Sequence, residues 1–246
     1  MTWFDDALGR CSLDPDDLGY LLARGAREER VHELGLTTWC REACEARQGD
    51  KEWTRLGREG QGSRVNGMLT APLQSARGVV IGADFRTTWV DKKTVLRHLL
   101  PEAAWCPTFV GLTARAADQL WRGADLWLVE GLFDMFALEW VVGARGVVLG
   151  CGRADLSQQQ DQLLQRILSP TAAVYVVFDE DEAGRRGAAG GVDPKTGKYH
   201  RGAIARLRAR GVRVVDVRYS AKDPGALWDA GGRPALQRAF GSLVLG

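Results

Sequence analysis

The chain has 246 residues, which at roughly 150 residues per domain allows one large domain or two small ones. Charged residues are 26% and apolar residues 45% of the chain, a balance that excludes disordered, collagenous and low-complexity classes. Lys and Arg total 33 against 31 Asp and Glu, a net charge of +2, so the chain is no polycation.

No apolar run approaches the ~18 residues of a membrane span. The start, Met-Thr-Trp-Phe-Asp-Asp, is acidic where a secretory leader is basic, so the expected location is cytoplasmic. The five cysteines, Cys11, Cys40, Cys44, Cys106 and Cys151, are odd in number and form no C-x-x-C. They give neither a disulfide framework nor a zinc ribbon. Cys40 and Cys44 with His32 lack a fourth ligand nearby, and buried thiols are expected.

In chain order, Asp14-Pro-Asp-Asp opens a helix that carries Leu18, Leu21 and Leu22 and stops at Gly25. A second helix follows over 27–34 and stops at Gly35. A charged helix is expected over 41–47. Residues 64–90 switch to a period of two. Met68-Leu-Thr-Ala-Pro-Leu and Gly78-Val-Val-Ile-Gly-Ala-Asp-Phe read as antiparallel strands around a Ser-Ala-Arg-Gly turn. A basic cluster follows, Arg86, Lys92, Lys93, Arg97 and His98, with Trp89 and Trp105 beside it as candidates for base stacking.

From about residue 124 strands and helices alternate. Strands are expected at 126–129, 146–149, 173–178 and 212–217. Helices are expected at 132–142, at 156–168 with Asp155 or Ser157 as cap, from 183, and at 203–210. Residues 190–200 read as an inserted hairpin or loop. This alternation predicts a mainly parallel sheet. Trp127 and Trp140 fall on a core strand and a core helix and are read as packing. The whole is an α/β protein in three parts: a mixed N-terminal subdomain over 1–122, a Rossmann-like sheet domain over 123–221 and a short C-terminal tail over 222–246.

Acids gather where such sheets do chemistry. Glu130 ends the first of these strands, with Asp134 four residues on in the next helix. Asp179 and Asp181 follow the third strand, and alternation puts them on one side with Glu180 and Glu182 on the other. Carboxylates converging at strand ends repel unless a hard divalent cation neutralises them. Capping alone accounts for Glu182 but not for three acids at two strand ends.

Glu130-Gly-Leu-Phe-Asp134, Phe178-Asp179-Glu-Asp181-Glu-Ala-Gly184 and Lys222-Asp223-Pro224 resemble, in order and spacing, the three motifs of the TOPRIM domain of DnaG-type bacterial and phage primases. Upstream, the segment from Tyr20 through Arg24-Gly25 to Gly35-Leu36 resembles the helical opening of the primase RNA-polymerase core. Pro72 to Arg86, Lys92-Lys93 and Gly111-Leu112 resemble that core's strand pair, its following Lys and its Tyr-Gly-Leu. Two positions differ: Glu180 replaces the Gly of Asp-Gly-Asp, and Gly225 replaces the last Asp of Lys-Asp-Pro-Asp.

The resemblance implies a primase core making short RNA on single-stranded DNA from ribonucleoside triphosphates. Glu130, Asp179 and Asp181 would be catalytic and, with Asp134 and Asp223, would hold Mg²⁺ or Mn²⁺. Arg86, Lys92 and Lys93 would bind template or triphosphate. No zinc ribbon or helicase-binding domain is matched. The expectation is therefore a phage or mobile-element replicon in which a helicase or a separate template-recognition protein acts in trans. The rivals are a TOPRIM nuclease and a non-catalytic single-strand-binding accessory protein.

Overall fold

The computed structural model describes residues 3–40, 67–88, 95–100, 106–192, 194 and 196–245. The helix expected at 41–47, Cys44, Trp89, Lys92, Lys93 and Trp105 lie outside the described residues. The chain divides into two compact units, Met1–Ala23 with Arg27–Cys106, and Arg24–Ala26 with Pro107–Gly246.

The first unit holds helices α1 (Trp3–Gly9), α2 (Pro15–Ala23) and α3 (Glu28–Glu33) and strands β1 (Thr37–Thr38), β2 (Leu69–Gln74), β3 (Val80–Arg86) and β4 (Val95–Leu99). The strands form one antiparallel sheet in sequence order. The expected turn closes as Gly78 N donates to Ser75 O at 2.9 Å and Ser75 N to Val79 O at 2.9 Å. Leu69, Leu73, Ile81 and Phe85 are buried, and Trp39 meets Phe85 edge-on at 5.3 Å. Buried Asp17 accepts hydrogen bonds from Thr38 Oγ1 at 2.5 Å and Thr88 Oγ1 at 2.6 Å, tying α2 to the ends of β1 and β3. Two neutral donors satisfy a carboxylate that would be costly to bury alone.

In the second unit, α4 (Ala114–Trp121) precedes β5 (Asp125–Val129), α5 (Leu132–Val142), β6 (Gly146–Gly150), α6 (Gln158–Ile167) and β7 (Ala173–Val176). Then come α7 (Glu182–Ala189), the β8–β9 hairpin (Gly191–Val192, Tyr199–His200), α8 (Ala203–Arg208), β10 (Arg213–Asp216) and α9 (Pro224–Leu245). All four strands expected from the alternation are present in one parallel sheet of order β10-β7-β5-β6. Leu126 to Val129 and Val147 to Leu149 are buried without alternation, as strands covered on both faces must be.

Trp127 stacks on Tyr175 across the β5–β7 pair at 4.1 Å. Such a stack adds about 0.5–1.5 kcal/mol to area burial, and it makes Trp127 a packing residue as expected. Ser157 and Gln160 form a capping box at α6, settling the choice of cap in favour of Ser157. The insertion is an antiparallel hairpin with exposed strands.

Residues 224–245 are helical, broken where Gly231 and Gly232 leave helical geometry. This segment packs on α5 and buries Leu236 and Phe240. Trp228 stacks on Trp140 at 5.7 Å, and Trp140 Nε1 donates to Gly25 O at 2.7 Å. Gly25 has φ +90°, and an added Cβ would lie 2.9 Å from the Trp228 ring, so both backbone and space require glycine here. Among the described residues no helix is long and apolar enough to cross a membrane.

Candidate metal centre

The sheet order places the site. From β5 the chain runs to β6 on one side, whereas β6 to β7 and β7 to β10 run the other way. Right-handed connections therefore carry α5 over one face of the sheet and α6 and α8 over the other. The crevice between the carboxyl ends of β5 and β7 is a topological switch point, the place where open α/β sheets bind ligands. Glu130 leaves β5 there, and Asp179 leaves the end of β7.

Three carboxylates meet in this crevice. Asp134, Asp179 and Asp223 each offer an oxygen, and the three oxygens lie within 4.8 Å of one another. Glu130 sits beside them, its Oε1 accepting from Asp179 N at 3.1 Å. Asp181 caps α7 by accepting from Gly184 N at 2.9 Å, and its charge acts on both Glu130 and Asp179. Asp223 Oδ1 accepts from Ala226 N at 2.6 Å at the start of α9, and Asp134 Oδ1 accepts from Gly225 N at 3.2 Å. The N-termini of α5, α7 and α9 thus converge here, and their positive ends partly offset the carboxylates.

All five acids named from sequence are therefore in one neighbourhood. The tight triplet is Asp134, Asp179 and Asp223, with Glu130 and Asp181 flanking it. The departure at Gly225 has a structural counterpart: its backbone N–H points at Asp134, and an added Cβ would come 3.3 Å from Asp134 Oδ1. At the other departure, Glu180 turns to Arg218 at 3.7 Å, while Glu182 pairs with Arg186 at 3.4 Å.

The electrostatics record the crowding. Burial and then repulsion from Glu130, Asp134, Asp223 and Asp181 push the Asp179 carboxyl up to about 8. Glu130 rises to about 7, chiefly through burial, against the pull of the Asp179 amide. Asp134 is raised by burial and by Asp223, against hydrogen bonds from Gly225 and Gly131 and the charge of Arg24. Tyr219 is raised by burial and by the same acids, and its hydroxyl donates to Phe178 O at 3.1 Å. Asp179 Oδ1 is buried with no hydrogen-bond partner. An all-oxygen set that repels itself and leaves a buried lone pair unused fits a hard divalent cation.

Sequence reasoning gave Arg24 no role. It pairs with Asp229, lies 5.2 Å over the Phe133 ring and acts on Asp134. The Arg-Gly of the N-terminal segment was the available signal.

In the basic stretch, Arg86 ends β3 and is half-buried. Arg97, read as part of that cluster, is instead held by Asp84 through two hydrogen bonds of 2.6 Å, because β3–β4 register sets the two residues opposite each other. The cysteines also differ from expectation: Cys151 is buried, Cys11 and Cys40 are half-buried, and Cys106 is exposed.

Strand-end carboxylates on a doubly wound parallel sheet are the arrangement found here, and residues 127–224 match the family described as Toprim-like. The chain as a whole has the fold of DnaG-type primase catalytic cores. It matches the zinc-binding and RNA polymerase domains of Aquifex aeolicus primase at TM-score 0.63 and 20% identity over 98% of this chain, and spans 60% of that structure. A DNA primase domain from Pseudomonas aeruginosa matches at 0.66 and 22% identity, covering 96% of this chain and 76% of its own. A DnaG primase catalytic domain bound to single-stranded DNA matches at 0.61 and 18% identity, covering 98% and 77%. No curated protein matches the chain by sequence.

Proposed function

We propose that the chain is a DnaG-like DNA primase core that copies single-stranded DNA into short RNA by metal-dependent nucleotidyl transfer from ribonucleoside triphosphates. The observation that carries this reading is the convergence of Asp134, Asp179 and Asp223, with Glu130 beside them, at the switch point of a Toprim-like sheet. Mg²⁺ or Mn²⁺ bound there would neutralise phosphate charge and favour in-line displacement at phosphorus.

The chain's own residues divide the remaining work. Asp134, Asp179 and Asp223 hold the cation. Asp181 fixes the start of α7 and adds negative charge beside Glu130 and Asp179. Glu130, with its carboxyl near neutrality, accepts the proton of the attacking 3′-hydroxyl. Arg86, with Lys92 and Lys93 outside the described residues, tracks the phosphates of template or triphosphate. A template strand is supported by the single-stranded DNA bound to a DnaG catalytic domain of the same fold. A replicative helicase or a separate template-recognition protein would complete the system.

The Glu130 carboxyl near 7 would serve equally to take a proton from water, so a Toprim nuclease is the second reading. Incubation with single-stranded DNA, labelled ribonucleoside triphosphates and Mg²⁺ or Mn²⁺ separates them. Short labelled RNA that depends on template supports priming. DNA cutting without triphosphates and without RNA supports the nuclease. Neither product leaves a single-strand-binding accessory protein.

A further inference from the structure

The first unit contains a pair of thiols that the metal centre does not use. Cys11 follows α1, and Cys40 lies two residues beyond β1. Their sulfurs are 3.3 Å apart although 29 residues separate them in sequence. Both side chains are held by their surroundings: Cys11 Sγ donates to Ala7 O at 3.4 Å, Cys40 Sγ to Arg10 O at 3.6 Å, and Cys40 N donates to Cys11 Sγ at 3.4 Å. Neither cysteine is fully buried, so a small oxidant has access to the pair. The neighbouring structure is itself fixed: Thr38 N donates to Ser12 O at 3.0 Å, and Trp39, next to Cys40, is buried against Phe85.

We propose that Cys11 and Cys40 are a redox-modifiable dithiol that closes to an intramolecular disulfide under oxidation. With a small disulfide such as oxidised glutathione as oxidant, one cysteine thiolate attacks a glutathione sulfur and expels one glutathione thiolate. The second cysteine then attacks the protein sulfur of that mixed disulfide and expels the other. Two protein thiols lose their protons and two electrons, one S–S bond forms, and two glutathione thiols are released. Because the sulfurs already face each other, the second step needs only a small approach and outruns release of the adduct. The bond would staple the segment after α1 to the end of β1. Crosslinking residues this far apart in sequence restricts the unfolded chain and stabilises the unit.

The test treats the full chain with oxidised glutathione, blocks remaining thiols and maps tryptic peptides without reduction. Cleavage after Arg10, Arg24, Arg30 and Arg41 puts Cys11 and Cys40 on peptides 11–24 and 31–41, and Cys44 on a third. The expected result is a crosslinked pair of the first two peptides, lighter by two hydrogens than their sum. It should be lost in both Cys11→Ser and Cys40→Ser, with a melting temperature several degrees higher in the oxidised wild type only. Mixed glutathione adducts alone, a Cys40–Cys44 link, or stoichiometric zinc in the purified protein would overturn the proposal. The serine variants are nearly isosteric, and circular dichroism of the reduced proteins verifies that they fold.

Discussion

The backbone N–H of Asp179 donates to Glu130 Oε1 at 3.1 Å, joining the ends of two adjacent parallel strands through a side chain of the acidic cluster. The bond fixes the Glu130 carboxylate over the crevice and holds the turn that carries Asp179. Gly184 lies against both: an added Cβ would sit 2.2 Å from Asp179 O and 2.6 Å from Glu130 Oε1.

Gly184→Ala therefore forces backbone apart where the site is built. The expected cost is about 1–3 kcal/mol of stability, the usual range for overpacking, with loss of activity larger than that cost implies. Chemical denaturation combined with the incorporation assay reads both. A variant with wild-type stability and activity would show that this approach is not constrained.

Asp179→Asn keeps the shape and removes one of several repelling charges. Without metal the variant should melt higher than wild type, while metal-dependent activity falls by about two orders of magnitude or more, the scale of losing a charge-stabilising group. A lower melting temperature in EDTA would contradict the repulsion argument.

The pH dependence follows from the same groups. In an unfolded chain Asp and Glu titrate near 4, whereas here Glu130 titrates at about 7 and Asp179 at about 8. The folded state keeps protons that the unfolded state has released. The stability tied to these groups is thus complete below about pH 4 and is lost as pH rises through about 7 to 8. In EDTA, the melting gap between Asp179→Asn and wild type should widen from near pH 5 to near pH 8, and Mn²⁺ should raise the wild-type melting temperature more at the higher pH. A gap that narrows with pH would refute the assignment.

Asp181 has a separable structural role as the cap of α7. Asp181→Ala should lose about 1 kcal/mol and Asp181→Asn almost none, since Asn caps nearly as well. Both should reduce activity if the charge beside Glu130 matters. Equal stability of the two variants would remove the capping role.

Charge removal in the basic stretch gives a different signature. If Arg86, Lys92 and Lys93 contact phosphates, each contributes about −0.7 to the salt slope on single strands. Arg86→Ala and Lys92→Ala/Lys93→Ala should flatten the salt dependence of single-strand binding without changing Mn²⁺ affinity. Anisotropy curves that overlay wild type at every salt concentration would exclude these residues.

The parallel sheet was legible because strands buried on both faces must be continuously apolar, as Leu126 to Val129 are. The acids at strand ends were legible for the same topological reason. The membership of Asp134 and Asp223 was legible only through the motif resemblance, and that they rather than Glu130 and Asp181 form the tight triplet with Asp179 was not, because it depends on three helix N-termini converging in space. Strand register likewise hid the Asp84–Arg97 pair, which removes a cation from the basic cluster read off the sequence. The meeting of Cys11 and Cys40 depends on tertiary contacts that spacing does not encode. Arg24 stood in a recognisable Arg-Gly pair, but only its seat over Phe133 and its pairing with Asp229 place it near Asp134.

Asp134, Asp179 and Asp223 are proposed to form one cation site. Calorimetric titration of Mn²⁺ into the metal-free full chain, wild type beside Asp179→Asn and Asp223→Asn, tests it most directly. The expected result is saturable binding to the wild type with proton release near pH 7, and affinity lowered at least tenfold in each variant while circular dichroism is unchanged. Equal Mn²⁺ affinity in all three proteins would contradict it.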